Sequence, residues 1–189
     1  AGVTRALPRP FFVLATQNPI EQAGTYPLPE AQLDRFLLHV ALGYPDANEE
    51  QAILARTTGT AGAEVPRVMG ADAVLALQAL VREVHVSEDL LAWITALVRA
   101  TRPGEGAPEV VREYVRWGAG PRAGQSLVLA AKARALLQGR LAATRDDVAA
   151  LLAPVLRHRL VLSFAAEAAQ IDADAVIAGL LRALPAPAR

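Results

Sequence analysis

The sequence contains no cysteine. Disulfides, thiolate metal sites and cysteine nucleophiles are therefore excluded together, and the redox compartment is left open. Lysine is almost absent as well: Lys132 stands alone, so all but one of the 19 basic residues are arginine, and any lysine chemistry is confined to one position. There is no net charge, with 19 acidic residues against those 19 basic ones, and hence no global basic footprint for nucleic acid or an anionic lipid surface. Long apolar runs are missing too. No stretch approaches the roughly 18 apolar residues of a membrane helix, and the run Phe11 to Ala15 is too short for the apolar part of a signal peptide. A soluble, cytoplasmic protein with no membrane and no nucleic-acid partner is expected. Met69 is the sole methionine and the chain starts at Ala1, as expected of a piece cut from a longer protein or of a processed N-terminus.

What is present has a globular balance, 53% hydrophobic and 20% charged over 189 residues. At roughly 150 residues per domain this is one domain and a fraction. The run Phe11-Phe12-Val13-Leu14-Ala15 is short, aromatic and continuous, and prolines flank it on both sides. It reads as a strand buried on both faces of a parallel sheet, which puts Thr16, Gln17 and Asn18 at the strand end where open α/β sheets hold ligands. A Gly/Pro-punctuated loop, a short helix over residues 30–35 and a second strand over 37–42 follow. Two strands cannot cover both sheet faces, so this piece is expected to belong to a larger sheet.

From residue 49 onward amphipathic helices take over. One begins near Asp72, and Ser87 caps the next, with Glu88 and Asp89 in its first turn. A third runs from Pro121 to about Gln138 and stops at Gly139, combining Pro at a first helical position with Gly past the end. Thr144 caps a fourth that Pro154 limits, and Asp172 starts a last one ending before Pro185. The segments Val84 to Leu90 and Leu141 to Val148 echo each other as a linker followed by a capped helix, which reads as shared capping chemistry and not as a repeat. The expected fold class is mainly α with a small α/β piece: residues 1–45 an α/β end, 46–70 a connecting helix and linker, 71–189 helical.

Three constellations carry possible chemistry. Ala15-Thr16-Gln17-Asn18-Pro19 places amides at a strand end, or else simply starts a turn. Gly24-Thr25-Tyr26-Pro27-Leu28-Pro29-Glu30-Ala31-Gln32-Leu33-Asp34-Arg35-Phe36 offers a guanidinium fixed by Asp34 and anchored by Leu33 and Phe36, suited to phosphate oxygens; the alternative is an ordinary surface pair. Gly118-Ala119-Gly120-Pro121-Arg122-Ala123 puts an arginine in the first turn of a helix. There the macrodipole disfavours it, although it stands well placed for an anion bound at the helix end. His39, His85 and His158 show no metal-ligand spacing, and Arg157-His158-Arg159 reads as a solvated face.

Taken in order, these segments, followed by Ala130-Ala131-Lys132-Ala133, Gly139-Arg140 and Val155-Leu156-Arg157-His158-Arg159-Leu160, closely resemble the MoxR family of AAA+ ATPases. The resemblance implies the C-terminal end of an AAA+ core followed by an all-helical lid. It implies Asn18 as sensor 1, with Thr16 beside the nucleotide, Arg35 as an arginine finger acting on a neighbouring subunit, and Arg122 as sensor 2. It further implies ATP and Mg²⁺ in the parent protein, a homo-oligomeric, hexameric ring, and chaperone-like work on partners that include von Willebrand factor A domain proteins.

This chain departs from the family pattern at several points. Neither the phosphate loop Gly-x-x-x-x-Gly-Lys-Ser/Thr nor the acidic Walker B pair occurs, and Lys132 has no glycine loop before it. The chain alone is therefore expected to bind no nucleotide cofactor firmly and to be inactive. Gly120 stands where the family usually has Ser, a weaker cap. The competing readings are a non-enzymatic helical interaction or nucleic-acid-binding module, and a family member that has lost its core.

Overall fold

In a computed structural model the residues described are 2, 4–17, 28–59 and 65–184. Two short N-terminal helices, α1 (Glu30–Leu33) and α2 (Ala47–Thr57), precede α3 (Ala71–Glu83), α4 (Glu88–Ala100) and α5 (Glu109–Tyr114). After these come β1 (Val115–Trp117), α6 (Pro121–Leu137), α7 (Arg145–Leu156), β2 (Val161–Leu162), α8 (Phe164–Ala168) and α9 (Ala173–Ala183).

Local chemistry explains most of the boundaries. The Ser87 hydroxyl accepts the Leu90 N–H at the start of α4, and Asp172 accepts the Ala175 N–H at the start of α9, each filling an orphan donor of the first turn. Helix α6 opens with Pro121 and ends before Gly139, whose φ of +72° is the left-handed conformation that suits glycine. Helix α3 is preceded by Gly70 rather than capped by Asp72. Pro154 does not stop α7, which runs two residues further. Pro154 brings no N–H to the last turn of α7, and its carbonyl accepts from His39 N–H at 2.8 Å.

The core lies around α6. Ala123, Leu127, Ala130 and Ala131 of α6 meet Ile94, Leu97 and Val98 of α4 and Val148, Leu152 and Val155 of α7, all buried. The alanines of α6 let its neighbours approach closely, and α3, α4 and α7 all pack against it. Helix α9 closes the far side with Val176, Ile177 and Leu180. The Trp93 indole N–H donates to the Leu184 carbonyl. Lys132, the solitary lysine, donates to the Arg82 carbonyl at the C-terminal end of α3 at 2.7 Å, where a cation complements the helix dipole.

Several expectations are corrected. Residues 11–15 and 37–42 form no strand; their backbone is irregular and Phe11, Phe12, Val13 and Leu14 are exposed. A strand exists only through its ladder, and no described segment pairs with either one. The helical region is also not wholly helical: β1 and β2 pair antiparallel, Val115 opposite Leu162 and Trp117 opposite Val161, with an irregularity between. The echoing linkers 84–90 and 141–148 touch each other. His85 N–H donates to Leu141 O and Ala143 N–H to His85 O, both at 2.9 Å, forming a parallel bridge.

One buried charge ties the second half together. Asp147, 1% exposed, accepts Arg140 through both carboxylate oxygens at 2.6 and 2.8 Å and also the Thr144 N–H and hydroxyl. Arg134 Nε stands 3.3 Å away. Burial pushes the Asp147 carboxyl up, but the Arg140 hydrogen bond and the Thr144 donors outweigh it and hold the group below its ordinary value. Asp147→Asn removes the charge while keeping the shape. Stability at neutral pH is expected to fall by about 2 kcal/mol, the scale of hydrogen bonds to a charged group. The loss is expected to shrink as pH falls below the normal carboxylate range, since the wild-type advantage depends on ionised Asp147; urea midpoints at pH 7 and pH 3 check this.

Candidate functional site

The segment Asp34–His39 lies across the ends of α6 and α7 and is held there by arginines. Asp34 Oδ2 accepts Arg122 Nη1 at 2.9 Å, and Asp34 Oδ1 accepts Arg159 Nε at 3.0 Å. The Arg159 side chain is 1% exposed. Its Nη2 donates to Asp34 O at 3.1 Å, Phe36 O at 2.6 Å and Ser126 Oγ at 3.1 Å, and its Nη1 reaches Val155 O and, at 3.4 Å, Leu37 O. Burial draws the Arg159 guanidinium pKa down, opposed by the hydrogen bond and charge of Asp34. Arg157 adds a second clamp: it grips Asp174 at 3.0 and 2.8 Å and donates to His39 O at 3.0 Å.

Arg35 itself is different. It is exposed, and among the described residues it has no ion pair or hydrogen-bond partner through its guanidinium. The expectation that Asp34 fixes Arg35 is corrected, because the Asp34 carboxylate is occupied by Arg122 and Arg159. What holds residue 35 is its backbone, fixed on both sides. The expectation of a solvated Arg157-His158-Arg159 face is corrected as well. The signal was in the spacing: Leu152, Val155, Leu156 and Arg159 recur at helical intervals, so Arg159, in the turn just past α7, extends the buried stripe of that helix.

Arg122 enters at the second residue of α6, after the loop Gly118-Ala119-Gly120. That loop is seated on the end of α4. Ala119 N–H donates to the Thr101 hydroxyl at 2.9 Å, and Arg102 Nε donates to Ala119 O at 3.0 Å. Arg122 is half exposed, so its pair with Asp34 is worth at most about 1 kcal/mol and can exchange for another anion. Arg35 and Arg122 are thus brought to the same short stretch of chain. Thr16 is exposed on irregular backbone, and Asn18 lies outside the described residues. None of Thr16, Arg35 and Arg122 lines the open groove of about 690 Å³ between α4 and α6, which carries Arg82, Arg99 and Arg102 and no carboxylate.

His158 marks how dry the joint is. Its Nε2 lies 3.2 Å from Phe36 O; a carbonyl only accepts, so the proton sits on Nε2. Nδ1 is buried with no hydrogen-bond partner among the described residues. Burial, then the Arg159 charge, lower the His158 pKa to about 4. Between that value and the ordinary 6.5 the unfolded chain binds a proton that the folded chain refuses, so this contribution to stability is full above about pH 6.5 and is lost as pH falls toward 4. For a half-buried group the expected loss between pH 7 and 5 is about 1 kcal/mol. His158→Gln is expected to flatten that part of the stability profile, measured by urea unfolding at each pH.

The chemistry these residues offer is cationic. Planar guanidiniums suit phosphate oxygens. Among the described residues no group of three His, Cys, Asp or Glu stands where it could hold a metal ion, and Asp34 is already engaged by two arginines, so a Mg²⁺ ion does not fit this set of groups.

Residues 1–38 match the model of the ATPase family associated with various cellular activities (AAA), and residues 108–180 match the AAA lid domain. Chaperone MoxR1 of Mycobacterium tuberculosis is 39% identical over 187 residues, 98% of this chain and 49% of that protein. Protein MoxR of Paracoccus denitrificans is 35% identical over 192 residues, 93% of this chain and 56% of its own length. A solved structure from Cytophaga hutchinsonii, assigned as an ATPase, superposes with a TM-score of 0.85 at 38% identity, covering 93% of this chain and 54% of that one. The chain thus spans about half the length of the curated relatives it matches. With the core-end motif, the lid motif and the helical architecture in one order, the chain belongs to the MoxR family of AAA+ ATPases, where it corresponds to the end of the nucleotide-binding core and the lid.

Proposed function

We propose that this chain supplies the finger and lid half of an ATP-hydrolysing ring that remodels or matures partner proteins. Residues 1–45 form the end of the core, 46–70 the connection and 71–189 the lid. The observation that carries the reading is the exposed Arg35, unpartnered among the described residues, on a backbone that is firmly held. A cation whose backbone is held and whose guanidinium is unspent inside its own chain is suited to a phosphate presented by another chain.

In this reading Arg35 reaches the nucleotide of the next subunit across a head-to-tail interface, which closes into a ring when the rotation permits. Its charge offsets the charge that spreads over the equatorial oxygens of the transferred phosphoryl group. Arg122 exchanges Asp34 for a phosphate oxygen when nucleotide arrives, so the lid senses occupancy. Asn18 orients the attacking water from the end of its segment, and Thr16 lies beside the nucleotide. The phosphate loop and the carboxylates that hold Mg²⁺ come from outside this sequence, and the ion supplies charge neutralisation there. The ring is a hexamer in the cytoplasm, and von Willebrand factor A domain proteins are its partners. No described helix is long and apolar enough to cross a membrane.

The test is nucleotide-dependent assembly. The protein joined to its phosphate-loop half is expected to form rings with ATP whose turnover follows ring formation. Turnover by monomers at dilution, unchanged on assembly, would contradict a finger supplied in trans. A nucleic-acid-binding module would instead show steep salt dependence on duplex DNA.

A further inference from the structure

The finger segment and the lid are joined through one buried guanidinium, and that joint has a direct consequence for turnover. We propose that Arg159 is the positioning residue for Arg35: it holds the backbone on both sides of Arg35 against α6 and α7, so that lid movement is delivered to the finger of the same subunit. The inference rests on the finger reading of Arg35.

The geometry is selective. Arg159 donates to the carbonyls of Asp34 and Phe36, which flank Arg35, and to the Asp34 carboxylate, at 3.1, 2.6 and 3.0 Å. The same guanidinium donates to Ser126 of α6 at 3.1 Å and to Val155 of α7. Two lid helices and the finger segment therefore share one rigid planar group. Only a guanidinium has donors fanned widely enough to reach all of them; a lysine ammonium is a point charge that satisfies fewer acceptors at once. Arg122 also touches Asp34 but is half exposed, so it can leave for a ligand while Arg159, 1% exposed, stays. The two arginines on one carboxylate thus divide the labour: one exchangeable, one fixed.

The experiment is a double-mutant cycle in single-turnover ATP hydrolysis, using the assembled protein with its phosphate-loop half. Arg159→Lys keeps a charge beside Asp34 but loses the shared grip. In an otherwise unchanged ring it is expected to lower turnover by about 10²-fold, the scale of a small misplacement of a catalytic group, with ATP affinity unchanged. In an Arg35→Ala ring the same substitution is expected to have almost no further effect, because the group it positions is gone. Ser126→Ala removes one acceptor from the same guanidinium and leaves a small side chain in place; it is expected to show a severalfold loss with the same pattern, and decides the matter if Arg159→Lys rings do not assemble. Equal losses in both backgrounds would overturn the inference and make Arg159 a merely structural residue while leaving the finger standing. If Arg35→Ala itself leaves turnover unchanged, the finger reading falls and takes this inference with it.

Discussion

Alanine at Arg35 is expected to lower ATP turnover of the assembled protein by about 10³-fold or more, the lower end of what a trans arginine contributes, while ATP affinity and thermal stability hardly change. The separation follows from where the side chain stands. Among the described residues Arg35 makes no ion pair or hydrogen bond through its guanidinium and is exposed, so its removal breaks nothing inside the chain. Its neighbour Asp34 keeps both of its arginines. A cation that contributes nothing to its own fold and acts only on developing transition-state charge changes turnover without changing binding. Lysine at the position is expected to recover little, since a point charge does not reproduce the planar fork. Single-turnover hydrolysis alongside equilibrium nucleotide binding checks both halves. Parallel losses of binding and turnover would mean that Arg35 is structural.

Gly118→Ala is expected to destabilise the 189-residue chain by about 3 kcal/mol, the upper range for overpacking against backbone. A Cβ at this position would stand 2.3 Å from the Thr101 carbonyl oxygen and 2.7 Å from the Arg102 Cα. Neither is the end of a flexible side chain, so the loop has to lift from α4. Lifting it breaks the bond from Ala119 N–H to the Thr101 hydroxyl and the one from Arg102 to Ala119 O. It also moves the entry of α6, and with it Arg122. Urea unfolding of the isolated chain reads the first effect. Gly120→Ala is the control: nothing lies within 4 Å of a Cβ built there, so its midpoint is expected to stay close to wild type.

Helices with chemical punctuation were legible from residues alone. Ser87, Asp172 and the Pro121/Gly139 pair announce their ends through groups that satisfy orphan backbone donors or tolerate a left-handed turn. Strands 11–15 and 37–42 were not realised, because pattern reports the burial a segment wants, whereas a strand needs a partner to bond with. The β1–β2 ladder was missed for the opposite reason: at three and two residues it is too short to show a period.

The candidate site was legible in part. Arg122, 87 positions from Arg35 in sequence, pairs with Asp34, the residue that precedes Arg35. Arg159 was misread as solvated because its charge outweighed its place in line with the apolar stripe of α7, just past the helix end. An arginine that binds backbone carbonyls has no sequence partner to reveal it. The buried, neutral ring of His158 is a product of the same joint.

The central claim, that Arg35 serves the nucleotide of a neighbouring subunit, is tested most directly by mixing two inactive forms of the full-length protein. One carries Arg35→Ala with an intact phosphate loop; the other has a disabled phosphate loop and an intact Arg35. Mixed rings place some intact sites beside intact fingers, so turnover is expected to rise well above that of either form alone. Turnover that never exceeds the weighted sum of the two would contradict it.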